Sequence, residues 1–80
     1  MSAAKKENLY EARKHVALTV IALPALSALA NLGLRPGTRL CVENRYRLGG
    51  PVLLRVEDMY SVAIGKDVAE NIEVEAVDNG

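Results

Sequence analysis

The 80-residue sequence contains no tryptophan, no phenylalanine and a single cysteine, Cys41. A lone cysteine cannot form a disulfide within the chain, which suits a reducing compartment, so we expect a cytoplasmic protein. Without Phe or Trp, the core must be built from Val, Leu, Ile and Ala, with three tyrosines available to fill gaps. A chain of this length predicts one domain with a small, efficient core.

The formal net charge is zero, because the chain has ten basic and ten acidic side chains. Proteins that bind nucleic acid through bulk attraction to phosphate are usually clearly basic, so this balance argues against that class. Arginines nevertheless outnumber acids in the central part of the sequence: Arg35, Arg39, Arg45, Arg47 and Arg55. Two interpretations stay open for them, a mixed solvated face and a local positive field. A local positive field would allow the chain to bind nucleic acid, which therefore stays open as one functional hypothesis.

Long uninterrupted apolar runs are lacking as well. The longest, Val16 to Leu34, is interrupted by polar residues and by Pro24 and Gly33, and its period changes midway. A membrane-spanning helix needs about 20 predominantly apolar residues, so we interpret this run as a strand followed by a helix and expect no membrane insertion. The first residues, 1–7, carry two lysines but no apolar stretch typical of a signal peptide.

The pattern of apolar and polar residues changes in the segment from Leu32 to Thr38, which we call the elbow. An Ala- and Leu-rich stretch precedes it and an alternating stretch follows it. Gly33 can adopt the left-handed conformation that ends a helix, Pro36 prevents the helix from resuming, and Pro36-Gly37 has the chemistry of a tight turn. The elbow therefore predicts a sharp passage from helix to strand.

Alternation of apolar and polar residues predicts five strands, with one short helix between the first two. The strands are expected over 16–23, 39–46, 52–57, 60–64 and 72–77, and the helix over 25–32. Pro24 suits the first helical position, and Asp67 suits the N-cap of a single turn over 67–71, with Glu70 in the capping-box position. A sheet of this size closes most easily into a small β-barrel.

The connections and the ends of the chain complete this prediction. Leu48-Gly49-Gly50-Pro51 predicts the turn of the central hairpin, with two glycines available for positive φ. Across that hairpin, Arg45 and Arg55 are expected to point outward and to meet Glu57 and Glu43. Residues 1–15 form an N-terminal arm, either a frayed helix or a short strand beginning at Leu9, and 78–80 form a tail.

The order of these motifs resembles the FeoA family. The motifs are Leu32-Gly33-Leu34 with Pro36-Gly37, Leu48-Gly49-Gly50-Pro51 after an alternating strand, and Ile72-Glu73-Val74 near the end. The resemblance covers 16–77 and implies an SH3-like small barrel, accessory to the ferrous iron permease FeoB, which carries a cytosolic GTP-binding domain. The same barrel is appended to iron-dependent repressors, so a regulatory module acting with a metal-dependent repressor is the alternative. Two departures are His15, where a glycine is common, and Asp58, near which many members have glycine.

Residues with catalytic or metal-binding chemistry are sparse and scattered. The only histidine, His15, and Cys41 are far apart in sequence, and Glu57-Asp58 is the only adjacent acidic pair. Metal sites need several convergent ligands, and neither a nucleophile with a base nor a phosphate-binding glycine loop is present. We therefore expect no enzyme activity, no cofactor and no metal site.

Apolar residues near the predicted turns are the better candidates for function. Such side chains are less easily buried, and exposed Tyr and Met are typical of contact surfaces. For the tyrosines, a half-buried place at the rim of the barrel is the alternative. The predicted partner is the cytosolic part of FeoB, with the oligomeric state left open, and the candidate contact residues are Leu34, Tyr46, Leu48, Met59 and Tyr60.

Overall fold

The computed structural model describes residues 6–46 and 48–77. They form a six-stranded antiparallel sheet with two short helices and one 3-10 turn, which confirms the predicted mostly β, SH3-like fold class. The strand order is β1-β6-β2-β3-β4-β5, so that β1 and β5 are the two outer strands. The strands are β1 (Lys6–Asn8), β2 (Leu18–Ala22), β3 (Arg39–Arg45), β4 (Val52–Val56), β5 (Tyr60–Ile64) and β6 (Glu73–Ala76). The helices are α1 (Ser27–Asn31) and α2 (Lys66–Ala69), and the 3-10 turn spans Leu9–Glu11.

The core contains aliphatic side chains from one face of the sheet. In β4 the inward residues Val52, Leu54 and Val56 are fully buried, whereas Leu53 and Arg55 between them are half-buried. This is the period-two pattern expected of a strand with one face on the core. The largest fully buried side chains are leucines and one isoleucine, as a sequence without Phe or Trp requires.

The N-terminal segment is part of the domain, which therefore begins upstream of the predicted boundary at Val16. Lys6 lies opposite Glu75 in an antiparallel ladder between β1 and β6. Leu9 donates its backbone N–H to the Ile72 carbonyl at 2.8 Å, and its side chain is completely buried. Neither alternative was correct, because the strand spans Lys6–Asn8 and Leu9–Glu11 form a 3-10 turn rather than a helix or a strand. Five predicted strands thus become six.

Both helices begin at other residues than predicted. The N-cap of α1 is Leu26, so Pro24 lies outside the helix, where its carbonyl accepts the Leu26 N–H at 2.8 Å. The N-cap of α2 is Gly65, so Asp67 lies inside the helix and caps nothing there. No helix in the described ranges is long and apolar enough to cross a membrane.

A β-bulge in β3 changes which way its last residues point. Val42 lies opposite Leu54, but Asn44 lies opposite Leu53, so that Glu43 is the extra residue. Arg45 therefore lies opposite the buried Val52 and shares its face of the sheet. The prediction that Arg45 points outward toward Glu57 was wrong, because a period-two pattern cannot reveal a one-residue insertion.

Candidate protein-contact surface

The elbow has the geometry of a Schellman motif. Gly33 is left-handed, with φ of +85°. It donates its N–H to the Ala30 carbonyl at 2.9 Å, and Leu34 donates to the Leu29 carbonyl at 2.9 Å. These bonds satisfy two of the carbonyls that the end of a helix leaves without partners. Gly33 thus follows the end of α1 in the left-handed conformation.

Leu34 was the wrong choice as a contact residue, because it is only 1% exposed. The residue that follows the left-handed glycine of a Schellman motif commonly packs on the residue five positions earlier. Here that residue is Leu29, which is also buried, and both belong to the same core cluster. Leu34 thus holds the elbow against the core.

The second half of the elbow is a tight turn fixed by Thr38. Thr38 donates its N–H to the Arg35 carbonyl at 3.0 Å, with Pro36 and the left-handed Gly37 between them, as in a type II turn. Its buried hydroxyl accepts the Arg35 N–H at 3.1 Å and donates to the Gly33 carbonyl at 3.2 Å. Thr38 was not predicted from the sequence, although a hydroxyl residue directly after Pro-Gly is the signal that could have identified it.

Tyr60 connects β5 with the elbow. Its hydroxyl donates to the Leu32 carbonyl at 2.6 Å, while 37% of the residue stays exposed. A Cβ built on Gly33 would overlap the Tyr60 hydroxyl oxygen, so a larger residue at this position would force the end of the Tyr60 side chain to move. The aromatic ring is therefore held in place at the surface.

Met59 lies beside Tyr60 in the turn between β4 and β5. The turn is closed by a hydrogen bond from the Met59 N–H to the Val56 carbonyl at 2.9 Å. Its two central residues, Glu57 and Asp58, have φ of 52° and 58°, an uncommon conformation for residues other than glycine. Met59 is 71% exposed. We call Met59 and Tyr60, with the rim of the elbow at Leu32, the elbow surface.

Tyr46 and Leu48 lie at the opposite end of the β4–β5 hairpin from Met59 and Tyr60. The ladder between β4 and β5 runs for five pairs, from Val52 to Val56, and at about 3.3 Å per residue it separates the two ends by roughly 13 Å. Tyr46 is 48% exposed and Leu48 fully exposed. The predicted contact residues thus form two separate groups.

The turn that carries Leu48 differs in detail from the prediction. The left-handed positions are Leu48, with φ of 62°, and Gly49, with φ of 82°, rather than the two glycines. Pro51 accepts the Tyr46 N–H on its carbonyl at 3.0 Å. Gly50 and Pro51 therefore lie in the turn as predicted, while Arg47 lies outside the described residues.

Arg45 and Tyr10 form a contact that was not predicted from the sequence. Through the bulge in β3, the Arg45 guanidinium reaches the N-terminal segment and donates to the carbonyls of Tyr10 and Ala12. Its central carbon lies 5.9 Å from the centre of the Tyr10 ring, and the Lys66 ammonium lies 5.5 Å from the same ring. Both distances are within the range of cation–π interactions.

Comparison with known families decides the assignment. A model of the FeoA domain matches residues 8–76. The chain belongs to the FeoA family. This membership supports an involvement in ferrous iron transport and confirms the resemblance seen in the sequence. No curated protein matches the sequence.

Solved structures agree with this assignment. A crystal structure described as iron uptake regulatory protein (FeoA) superimposes with a TM-score of 0.81 at 26% identity, over 91% of this chain and 99% of that one. The NMR structure of a FeoA-like protein from Clostridium acetobutylicum gives 0.76 at 25% identity, over 100% and 94%. A manganese-dependent transcriptional repressor gives 0.82 at 22% identity, over 96% of this chain but 45% of that one, a likeness of fold alone.

The two residues named above as departures from the resemblance both have a left-handed backbone. His15 has φ of 65° and Asp58 has φ of 58°. A left-handed residue with a Cβ is strained, by about 1–2 kcal/mol. Glycine would adopt this backbone conformation at either position without a Cβ clash.

Among the described residues, the potential metal ligands lie in one region without forming a cluster. His15, Cys41, Glu57 and Asp58 line one depression of about 440 Å³. Even so, the described part of the chain contains no group of three or more His, Cys, Asp or Glu side chains that could hold a metal ion. Burial raises the pKa of the Cys41 thiol, and the charges of Glu43 and Asp58 act in the same direction. A raised pKa disfavours the thiolate form that metals and electrophiles require.

Proposed function

We propose that this chain binds the cytosolic part of the ferrous iron permease FeoB through its elbow surface and regulates iron uptake by contact, without chemistry of its own. The observation that carries the proposal is the FeoA family match over residues 8–76. The elbow surface supplies the accompanying physical argument, because Met59 and Tyr60 are exposed together on a well-supported turn.

The elbow surface has the properties of a pre-organised contact site. Tyr60 is fixed by its hydrogen bond to the Leu32 carbonyl, so little conformational entropy is lost when a partner covers the ring. Met59 beside it is flexible and can adapt to a partner surface. Two strained residues, Glu57 and Asp58, present it to solvent. Strain of this kind often accompanies functional sites.

Regulation by contact requires only different affinities for different states of the partner. If this FeoA binds one nucleotide state of the permease more tightly, it shifts the permease toward that state. Any influence on GTP hydrolysis would then arise in the permease itself. The chain contributes a surface that contacts the permease and supplies no catalytic group.

The proposal is tested by titrating the labelled chain with the soluble part of a cognate permease and following amide shifts by NMR. We expect the largest shifts at Met59, Tyr60 and Leu32. Met59→Ser should weaken binding by roughly 10- to 100-fold, since burying a Met side chain is worth about 1.5–3 kcal/mol. Leu26→Ser is the matched control, because Leu26 is 46% exposed at the far end of α1, and it should bind normally.

Two results would contradict the proposal. One is the absence of binding both to the soluble part and to the full-length permease in membranes. The other is an equal loss of affinity in the Leu26 and Met59 variants, which would show that the elbow surface is not the contact site.

A regulatory module acting with a metal-dependent repressor is the second candidate, and the likeness to manganese-dependent repressors favours it. At 22% identity this likeness concerns the fold, so we rank it below the permease. Retention of the chain by a repressor, with no retention by the permease, would reverse that ranking.

A further inference from the structure

A second surface lies at the other end of the β4–β5 hairpin from the elbow surface. A depression of about 420 Å³ is lined by Tyr10, Lys14, Arg45 and Leu48. Lys66 adjoins it, because its ammonium lies over the Tyr10 ring. We call these five residues the basic face. None of the described residues that line this depression is acidic, whereas the depression beside Glu7, Glu70 and Glu73 contains three carboxylates.

Two of the three positive charges of the basic face lie near the same aromatic ring. Arg45 and Lys66 both approach the Tyr10 ring, at 5.9 and 5.5 Å. The hydrogen-bond partners of the Arg45 guanidinium are backbone carbonyls, which orient it without neutralising it. Lys14 is exposed at the edge of the same depression. The field of the three cations favours a negatively charged partner.

An apolar side chain projects from the same face. Leu48 is fully exposed at the tip of the β3–β4 turn, and Tyr46 at the base of that turn is 48% exposed. Exposing a leucine side chain to water is unfavourable. The tip of the turn is open to solvent, since nothing lies within 4 Å of the Cβ position of the neighbouring Gly49. Tyrosine is typical of the boundary between lipid and water, where its ring and hydroxyl are both accommodated.

From these observations we infer that the basic face docks on a membrane surface that contains anionic lipid, with Leu48 entering the headgroup layer. The cations would lie against the lipid phosphates, and the apolar tip would leave water. A lipid layer surrounds a projecting side chain on every side, whereas a peptide covers only one side of it, so Leu48 favours the membrane over an acidic peptide. The contact is peripheral and independent of the permease proposal, since it needs no protein partner.

Sedimentation with lipid vesicles tests the inference. The full chain is mixed with vesicles of phosphatidylcholine alone and with vesicles of equal parts phosphatidylcholine and phosphatidylglycerol. We expect binding to the second kind only, weakening as salt is added because ions screen surface charges. Leu48→Ser should reduce the partition coefficient about tenfold. Lys14→Gln and Lys66→Gln should each reduce it about fivefold.

A matched control separates specific docking from general stickiness. Leu26→Ser removes another exposed leucine, at the start of α1, and should leave vesicle binding unchanged. Urea unfolding of each variant establishes that the fold is retained. The inference is overturned by an absence of binding to phosphatidylglycerol vesicles at low salt, or by equal losses in the Leu26 and Leu48 variants. Binding to a poly-glutamate peptide in place of the vesicles would overturn it as well.

Discussion

Replacing Gly33 with alanine should destabilise the domain through two separable effects. The first is backbone strain, since alanine at φ of +85° costs about 1–2 kcal/mol. The second is the overlap of the new Cβ with the Tyr60 hydroxyl, which must move and give up its hydrogen bond to the Leu32 carbonyl. That bond is worth about 0.5–1.5 kcal/mol, so the total loss should be about 2–3 kcal/mol.

Gly37→Ala is the matched control. Gly37 is also left-handed, with φ of +95°, but nothing lies within 4 Å of its Cβ position. The Gly37→Ala variant should therefore be destabilised by backbone strain alone, by about 1–2 kcal/mol. The difference between the two variants, about 1 kcal/mol, isolates the contact with Tyr60. Urea unfolding would show it, and in a domain of this size it corresponds to about 4–8 °C in melting temperature.

A double-mutant cycle sharpens the test. Tyr60→Phe removes the hydroxyl, and the nearest ring atom, Cζ, then lies 3.6 Å from the Cβ position of residue 33, an ordinary contact distance. The loss of unfolding free energy in the double variant should therefore be about 1 kcal/mol smaller than the sum of the losses in the two single variants. Strictly additive losses, or equal losses in the Gly33 and Gly37 variants, would refute this account of the elbow.

Three further outcomes are expected. His15→Gly and Asp58→Gly should each raise the free energy of unfolding by about 1 kcal/mol, because each removes left-handed strain; a decrease in urea unfolding experiments would contradict this. Leu26→Asp should stabilise α1 by about 0.5–1 kcal/mol, since Leu26 is an N-cap without a side-chain hydrogen bond, and an unchanged melting temperature would argue against it. The pH midpoint of Cys41 alkylation should be higher in the folded chain than in urea, because the pKa of the thiol is raised by folding. Since the unfolded thiol then ionises at lower pH than the folded one, the free energy of unfolding should fall as pH rises above the unfolded pKa. Coincident midpoints would exclude the shift.

The elbow was predictable from the sequence because its chemistry is local. Gly33, Pro36 and Gly37 each restrict the backbone by their own covalent structure, so the turn follows from residue type. The strands β4 and β5 were predictable for a related reason, since one face of each contacts the core and the sequence alternates accordingly.

The features that were missed depend on pairing between distant segments. Strand β1 is short and polar, and its backbone pairing with β6 leaves no periodic trace in the residues Lys6–Asn8. Arg45 turns inward because of the bulge at Glu43, which an all-polar stretch conceals. Leu34 is covered because the Schellman motif directs it onto Leu29, a contact that composition near a turn does not reveal.

The pairing of the first strand with the last has a practical consequence. Lys6 lies opposite Glu75, so the outer ends of β1 and β6 are neighbours at the spacing of paired strands, about 5 Å. A few glycines would therefore join these ends without distorting the sheet, and new termini could be opened at the exposed Leu48–Gly49 turn. The domain is thus suited to circular permutation, and a permuted chain would present its elbow intact.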